Sequence, residues 1–210
     1  MPFALKLQKL LRIRESLVPA EFADGEPLES VLERHLMVVE STAESDTLTS
    51  ILLLDGNILH HGAGPKLPRA YRQAIDGLPI GPCAGSCGTA AYTGHPIYVC
   101  DIVNDPLWAD YRDLALEHGL RACWSTPIRN EEGRLLGTFA VYHQRPRSPT
   151  DGELESIRTI THHVARAIMY YRGAHYEGPD PHPAEPEREP PKLQLVADTG
   201  ATPEPSKQEI

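Results

Sequence analysis

No run of apolar residues in this 210-residue chain approaches the ~20 that a membrane-spanning helix requires, so no membrane span is expected. Basic residues are in deficit, with 20 Lys and Arg against 29 Asp and Glu and a formal net charge of -9. Nucleic-acid binding depends on clustered Lys and Arg that displace phosphate counterions, and that partner class is not expected. Cysteine is scarce: Cys83, Cys87, Cys100 and Cys123 form neither paired Cys-x-x-Cys units nor a Cys-Cys-His-His array. Structural zinc is therefore not expected. No cleavable signal segment is evident, which points to a reducing cytoplasm and free thiols. The chain also lacks a Gly-Lys-Ser/Thr motif behind its glycine-rich turn, which excludes a Walker phosphate loop.

What is present fits one domain with tails. With 40% hydrophobic residues, the chain divides into a helical arm over 1–23, a domain over 24–172 and a tail over 173–210. In the arm, Phe3, Leu7, Leu10, Leu11 and Leu17 recur near helical spacing among Lys6, Lys9, Arg12 and Arg14, which suits packing on a partner subunit or a membrane surface. The tail alternates proline with charge and offers no apolar face, so it is expected to be disordered.

Within the domain, Leu28, Val31, Leu32, Leu36 and Val39 mark a helix with one apolar face, opened by Pro27. Thr47–Leu54 and Asn57–His61 read as a hairpin around Asp55-Gly56. Pro68–Ile75 is a short helix ending before Gly77, and a strand is expected near Ile97–Cys100 after the turn Gly85–Ala91. Asp105 caps a helix opened by Pro106 and closed by Gly119. Ala122–Ile128 and Leu135–His143 form a second hairpin, and Ser148-Pro149-Thr150-Asp151 starts a final helix carrying Leu154, Ile157, Ile160, Val164 and Ile168. The order gives an α+β fold: an antiparallel sheet flanked by helices that cover one face, with a pocket on one face.

The stretch from Leu78 to Ile128 carries the most specific motifs: Leu-Pro-Ile-Gly-Pro-Cys-Ala-Gly-Ser-Cys-Gly-Thr-Ala-Ala-Tyr, Asp-Ile-Val-Asn-Asp-Pro-Leu-Trp and Arg-Ala-Cys-Trp-Ser-Thr-Pro-Ile. It resembles a GAF domain, and the resemblance extends roughly from Asp24 to Arg172. It is strongest for a bacterial subgroup found beside cyclase, kinase and phosphodiesterase output domains, none of which is seen in this sequence. The resemblance implies a stand-alone sensory module that binds a small molecule, dimerises through terminal helices and signals to a partner protein. A scaffold with a vestigial pocket is the bland alternative.

Candidate ligand contacts are Ser86, Cys87, Thr89, Asp101, Asp105, Trp108, Tyr111, Trp124 and Ser125, which together offer the convergent polar groups and aromatic walls of a ligand pocket. The glycines beside Ser86 and Cys87 permit a sharp turn with exposed N–H groups that suit an anion, or they simply close the turn. Cys87, with Cys83 and Cys123, is a redox candidate if its thiol is activated at a helix start, and an inert hydrophobe if it is buried. GAF-fold free methionine-(R)-sulfoxide reductases carry a similar Gly-x-x-Cys-Gly-Thr-Ala turn, and Cys87 matches that cysteine. Their nucleophilic cysteine falls at or before the segment Asn104–Tyr111, which has none here, and their upstream cysteine falls at Gly77. The Asn-Lys-Phe-Asp-Glu pattern of cyclic-nucleotide-binding members and a Cys-His pair for bilin attachment are both absent. Haem would call on His60, His61, His95, His118 or His143, none of which is singled out. The cofactor is left unassigned.

Overall fold

The computed structural model describes residues 26–43 and 46–175. The expected arm and all but the first three residues of the expected tail lie outside them. Helix α1 (Leu28–Thr42) buries Val31, Leu32, Leu36 and Val39, the stripe that the 3.6-residue period marks out. Pro27 stands one place before the helix instead of opening it. Strands β1 (Leu48–Asp55) and β2 (Ile58–Ala63) form the first hairpin, and α2 (Arg69–Ile75) leads to a two-residue strand, β3 (Leu78–Pro79). Next come α3 (Gly85–Thr93), β4 (Ile97–Val99), a 3-10 turn (Pro106–Trp108) and α4 (Arg112–Glu117). Strands β5 (Ala122–Arg129) and β6 (Leu135–His143) form the second hairpin before the long α5 (Asp151–His175). Among the described residues no helix is long and apolar enough to cross a membrane.

The six strands run in the order β3-β2-β1-β6-β5-β4, every neighbouring pair antiparallel. Because successive side chains alternate, each central strand serves both faces. Trp124, Ile128, Phe139 and Val141 face α1 and α5, packing with Leu32, Leu36, Ile157, Ile160 and Val164. Cys123, Ala140 and Tyr142 face the opposite way, toward Tyr71, Ala91, Trp108 and Ala115. Helices thus cover both faces, where the sequence pattern accounted for only one. Each fully buried Leu or Ile in these layers contributes about 1.5–3 kcal/mol.

Helices α1 and α5 lie antiparallel, with Val31 against Ala167 at one end. A buried carboxylate ties α1 to the sheet: Glu40 Oε1 accepts from the Thr49 N–H at 2.9 Å and the Thr49 hydroxyl at 2.8 Å. Burial raises the Glu40 pKa, and the Thr49 donors and Lys66 only partly oppose this.

Two local readings change. The start of α5 is capped by Thr150, whose N–H donates to Glu153 Oε2 at 2.8 Å while the Glu153 N–H donates to Thr150 Oγ1 at 3.3 Å. This reciprocal box lies two residues beyond the expected one, because Ser148 precedes Pro149 and is pushed toward extended backbone. The glycine-rich segment after Ala84 is itself the helix α3 and not a turn ahead of one. Gly85 opens it at φ +60, and a Cβ on Gly88 would meet the Ala84 Cβ at 2.5 Å, so the helix can lie close to the segment before it only with glycine there.

Candidate functional site

Helix α3 lies across β5 and β6, and its first turn delivers Ser86 and Cys87 to the sheet. Ser86 is fully buried and joins three elements. Its hydroxyl donates to the Cys123 carbonyl on β5 at 3.0 Å and accepts from Trp108 Nε1 of the 3-10 turn at 3.0 Å. Thr89 Oγ1 accepts the Ala84 N–H at 3.1 Å and closes the start of α3.

Cys87 hangs beside this clamp over a patch of thiol and hydroxyl groups from alternate positions of the sheet. Its sulfur is 3.9 Å from Tyr142 Oη, which in turn lies 3.3 Å from Ser50 Oγ. Cys123, Ser125 and Thr138 complete the patch, all 0% exposed. Ser125 Oγ and Thr138 Oγ1 lack a hydrogen-bond partner at conventional distance. Both hydroxyls nevertheless stabilise the Cys87 thiolate electrostatically. The Cys123 thiol, then Ser125, Tyr142 and Thr138, favour the Cys87 thiolate against the opposing cost of burial and bring its pKa down to about 7. Burial pushes the Cys123 thiol and the Tyr71 and Tyr142 phenols well up, so these three remain proton donors.

A cavity of about 40 Å³ opens beside Cys87, lined by Leu59, Tyr71, Trp108, Tyr111, Leu114 and Tyr142 among others. That is room for a few water-sized groups, since one needs ~10–15 Å³ on this measure. The hollow, walled by Trp108, Tyr71 and Tyr142, is well below the ~300–1,000 Å³ of a typical metabolite pocket.

A larger cavity of about 390 Å³ lies across the sheet, between the C-terminal end of α1 and the N-terminal end of α5. It holds the expected contact Trp124, whose ring meets His143 at a tilt of 51° with centroids 4.5 Å apart and sits under the Arg147 guanidinium at 5.2 Å. Its charged rim is already satisfied, with Arg147 donating to Glu153 at 2.8 Å. The thiol and hydroxyl groups converge beneath α3, beside the smaller cavity.

The structure therefore gathers Ser86, Cys87, Cys123, Ser125, Trp108 and Tyr111 near one site, with Thr89 supporting α3. Asp101 and Asp105 do not line the cavity. Partial desolvation would raise the Asp101 pKa, but Arg121, the Val103 N–H and Asn104 outweigh it and hold the carboxyl low. Asp105 Oδ1 accepts the Leu107 N–H at 2.9 Å and caps the 3-10 turn. Cys83 is exposed. The five histidines weighed for haem are dispersed: His60 faces Asp76, His95 bonds Thr93, His118 meets Tyr71 and His143 meets Trp124. His61 is partly buried and lowered in pKa by desolvation and Arg72. None of the five lines the small cavity, and among the described residues no group of three or more His, Cys, Asp or Glu could hold a metal. Tyr71, Ser50, Thr138 and Tyr142 were missed by sequence reasoning. The period-two positions Thr138 and Tyr142 within β6 were the available signal.

A curled antiparallel sheet with a terminal helix pair on one face and short helices on the other defines the GAF class of α+β domain. A GAF domain family model matches residues 27–168, and the chain belongs to that family. It is 35% identical over 168 residues to the methyl sulfide methyltransferase-associated sensor of Methanosarcina acetivorans, covering 78% of this chain and 16% of that protein's length. Among solved structures, the GAF domain of a phosphoenolpyruvate-protein phosphotransferase from Coxiella burnetii is 20% identical with a TM-score of 0.63, covering 81% of this chain and 97% of that one. The free methionine-R-sulfoxide reductase of Neisseria meningitidis, in complex with its substrate, is 18% identical with a TM-score of 0.61, covering 81% and 93%. These two likenesses are of fold.

Proposed function

We propose that this protein is a sensory GAF module whose stimulus acts on the thiol and hydroxyl patch beneath α3. The sensor-named relative supports that class of role, although this chain spans only 16% of its length. The observation that carries the reading is the pair of fully buried hydroxyls, Ser125 Oγ and Thr138 Oγ1, without conventional partners. A cysteine sulfur satisfies a buried hydroxyl only weakly, so an incoming small molecule that hydrogen-bonds to both is favoured.

Strands β5 and β6 supply the route to an output. Cys123, Ser125 and Thr138 face the patch, while Trp124 and Phe139 on the same strands pack under α1 and α5. A stimulus that favours one arrangement of β5 and β6 also biases the helix pair, which is the minimum a population shift requires. That pair carries exposed Met37 and Tyr170, suited to a homodimer or a partner protein in the cytoplasm. An occupant larger than the present cavity requires α3 and the Leu78–Ala84 segment to move outward.

Native mass spectrometry of the full chain isolated from its own cells, compared with the denatured mass, tests the site. Excess native mass in wild type that is lost in Ser125→Val/Thr138→Val supports occupancy. Equal native and denatured masses in wild type, or an excess that the double variant retains, contradicts it.

A further inference from the structure

We infer that Cys87 and Cys123 form a peroxide-responsive dithiol, in which a small hydroperoxide oxidises Cys87 and Cys123 resolves it to a disulfide between α3 and β5. The inference deepens the sensory reading by naming a stimulus, and rests on that reading only for the consequence of oxidation.

The placement is specific. The Ser86 hydroxyl holds the backbone beside Cys87 onto the Cys123 carbonyl at 3.0 Å, so the two cysteines are fixed where α3 touches β5. The two side chains share one apolar cluster and interact electrostatically, Cys87 lining the cavity and partly exposed, Cys123 fully buried behind it. Cavity size selects the oxidant, because a hydroperoxide group fits about 40 Å³ and a metabolite does not. Ser125 and Thr138 point otherwise unused hydroxyls at the Cys87 sulfur, where they support a thiolate and a departing oxygen. The lowered Cys87 thiol suits the attacking partner, while Cys123 keeps its proton until the departing hydroxide takes it in the second step.

The steps balance. The Cys87 thiolate attacks the terminal oxygen of ROOH, an S–O bond forms, the O–O bond breaks, and RO⁻ leaves as ROH after taking a proton. Cys87 is then a sulfenic acid, two electrons more oxidised. The Cys123 sulfur attacks that sulfur, the S–O bond breaks, and hydroxide leaves with the thiol proton as water. The sum is two thiols and ROOH to one disulfide, ROH and water. Drawing the sulfurs together to a bond of about 2.05 Å pulls the first turn of α3 onto β5.

The test uses the full reduced chain, hydrogen peroxide, alkylation of remaining thiols and peptide mapping. Wild type is expected to lose two hydrogens and to yield a cross-linked peptide joining Cys87 to Cys123. Cys123→Ser should stop at a dimedone-trappable sulfenic acid on Cys87, and Cys87→Ser should form neither product. Should Cys123→Ser fail to fold, the wild-type map alone decides. Cys87 unreacted, joined to Cys83, or oxidised only after Cys83 and Cys100 would overturn the inference. A Cys87–Cys123 disulfide with unchanged hydrogen exchange in α1 and α5 upholds the thiol chemistry while contradicting the sensory reading.

Discussion

Ser86→Ala isolates the junction on which the site is built. The substitution removes the acceptor of the Trp108 indole N–H and the donor to the Cys123 carbonyl, both at 3.0 Å, in a position with 0% exposure. A buried indole N–H without an acceptor costs about 1–3 kcal/mol, and the lost carbonyl bond about 1 kcal/mol more, giving about 3 kcal/mol in total. For a folded unit of this size that corresponds to a fall in Tm of about 6–12 °C. Urea denaturation followed by tryptophan fluorescence gives the free energy, and a double-mutant cycle gives its origin. In the Trp108→Phe background no indole is left to satisfy, so Ser86→Ala should cost only about 1 kcal/mol there, a coupling of about 1–2 kcal/mol. An equal cost in both backgrounds, or a cost in wild type below about 0.5 kcal/mol, would refute the reasoning.

Two further outcomes follow from buried groups. Glu40→Ala leaves both Thr49 donors without their carboxylate and should cost about 2–3 kcal/mol, whereas Glu40→Gln keeps an acceptor oxygen and should cost under about 1 kcal/mol, both read by urea denaturation at pH 7. Burial, then the charges of His162 and His35, bring the His163 pKa down from 6.5 to about 4. The folded state therefore holds His163 neutral, the unfolded chain takes up the proton first, and stability from this group is lost as pH falls from 6.5 toward 4. The shift caps that loss near 3 kcal/mol, and partial solvent access reduces it to about 1–2 kcal/mol. Stability curves at successive pH values should show His163→Gln with a shallower acid decline than wild type, and parallel declines would contradict the assignment.

Much of this fold was legible in residue spacing. Leu32, Leu36 and Val39 gave α1 its buried side, and the turn at Asn130–Gly133 between two apolar runs gave the second hairpin. Strand alternation explains where pocket reasoning stopped. Trp124 adjoins Ser125 in sequence, but neighbouring strand residues point to opposite faces, so its ring packs toward α1 and α5. Asp105 read equally well as a ligand contact or a cap, and its side chain bonds the Leu107 N–H. Tyr71 reaches the patch from α2 and Tyr142 from β6, and nothing local in either segment distinguishes a cavity wall from core. Ser86 stands out in the sequence for its place between Gly85 and Gly88. Its three-element clamp depends on Trp108, 22 residues away in sequence, and on Cys123, 37 residues away, pairings that no periodicity encodes.

The patch beneath α3 and the terminal helix pair pack on opposite faces of β5 and β6, and their proposed coupling is open to a direct test. Amide hydrogen exchange on the full chain as isolated, and again after unfolding, dialysis and refolding to strip any occupant, tests that most directly. Faster exchange in Gly85–Thr93 together with a change in Leu28–Thr42 and Asp151–His175 after stripping is the expected result. A change confined to α3, or none in any of the three helices, would contradict it.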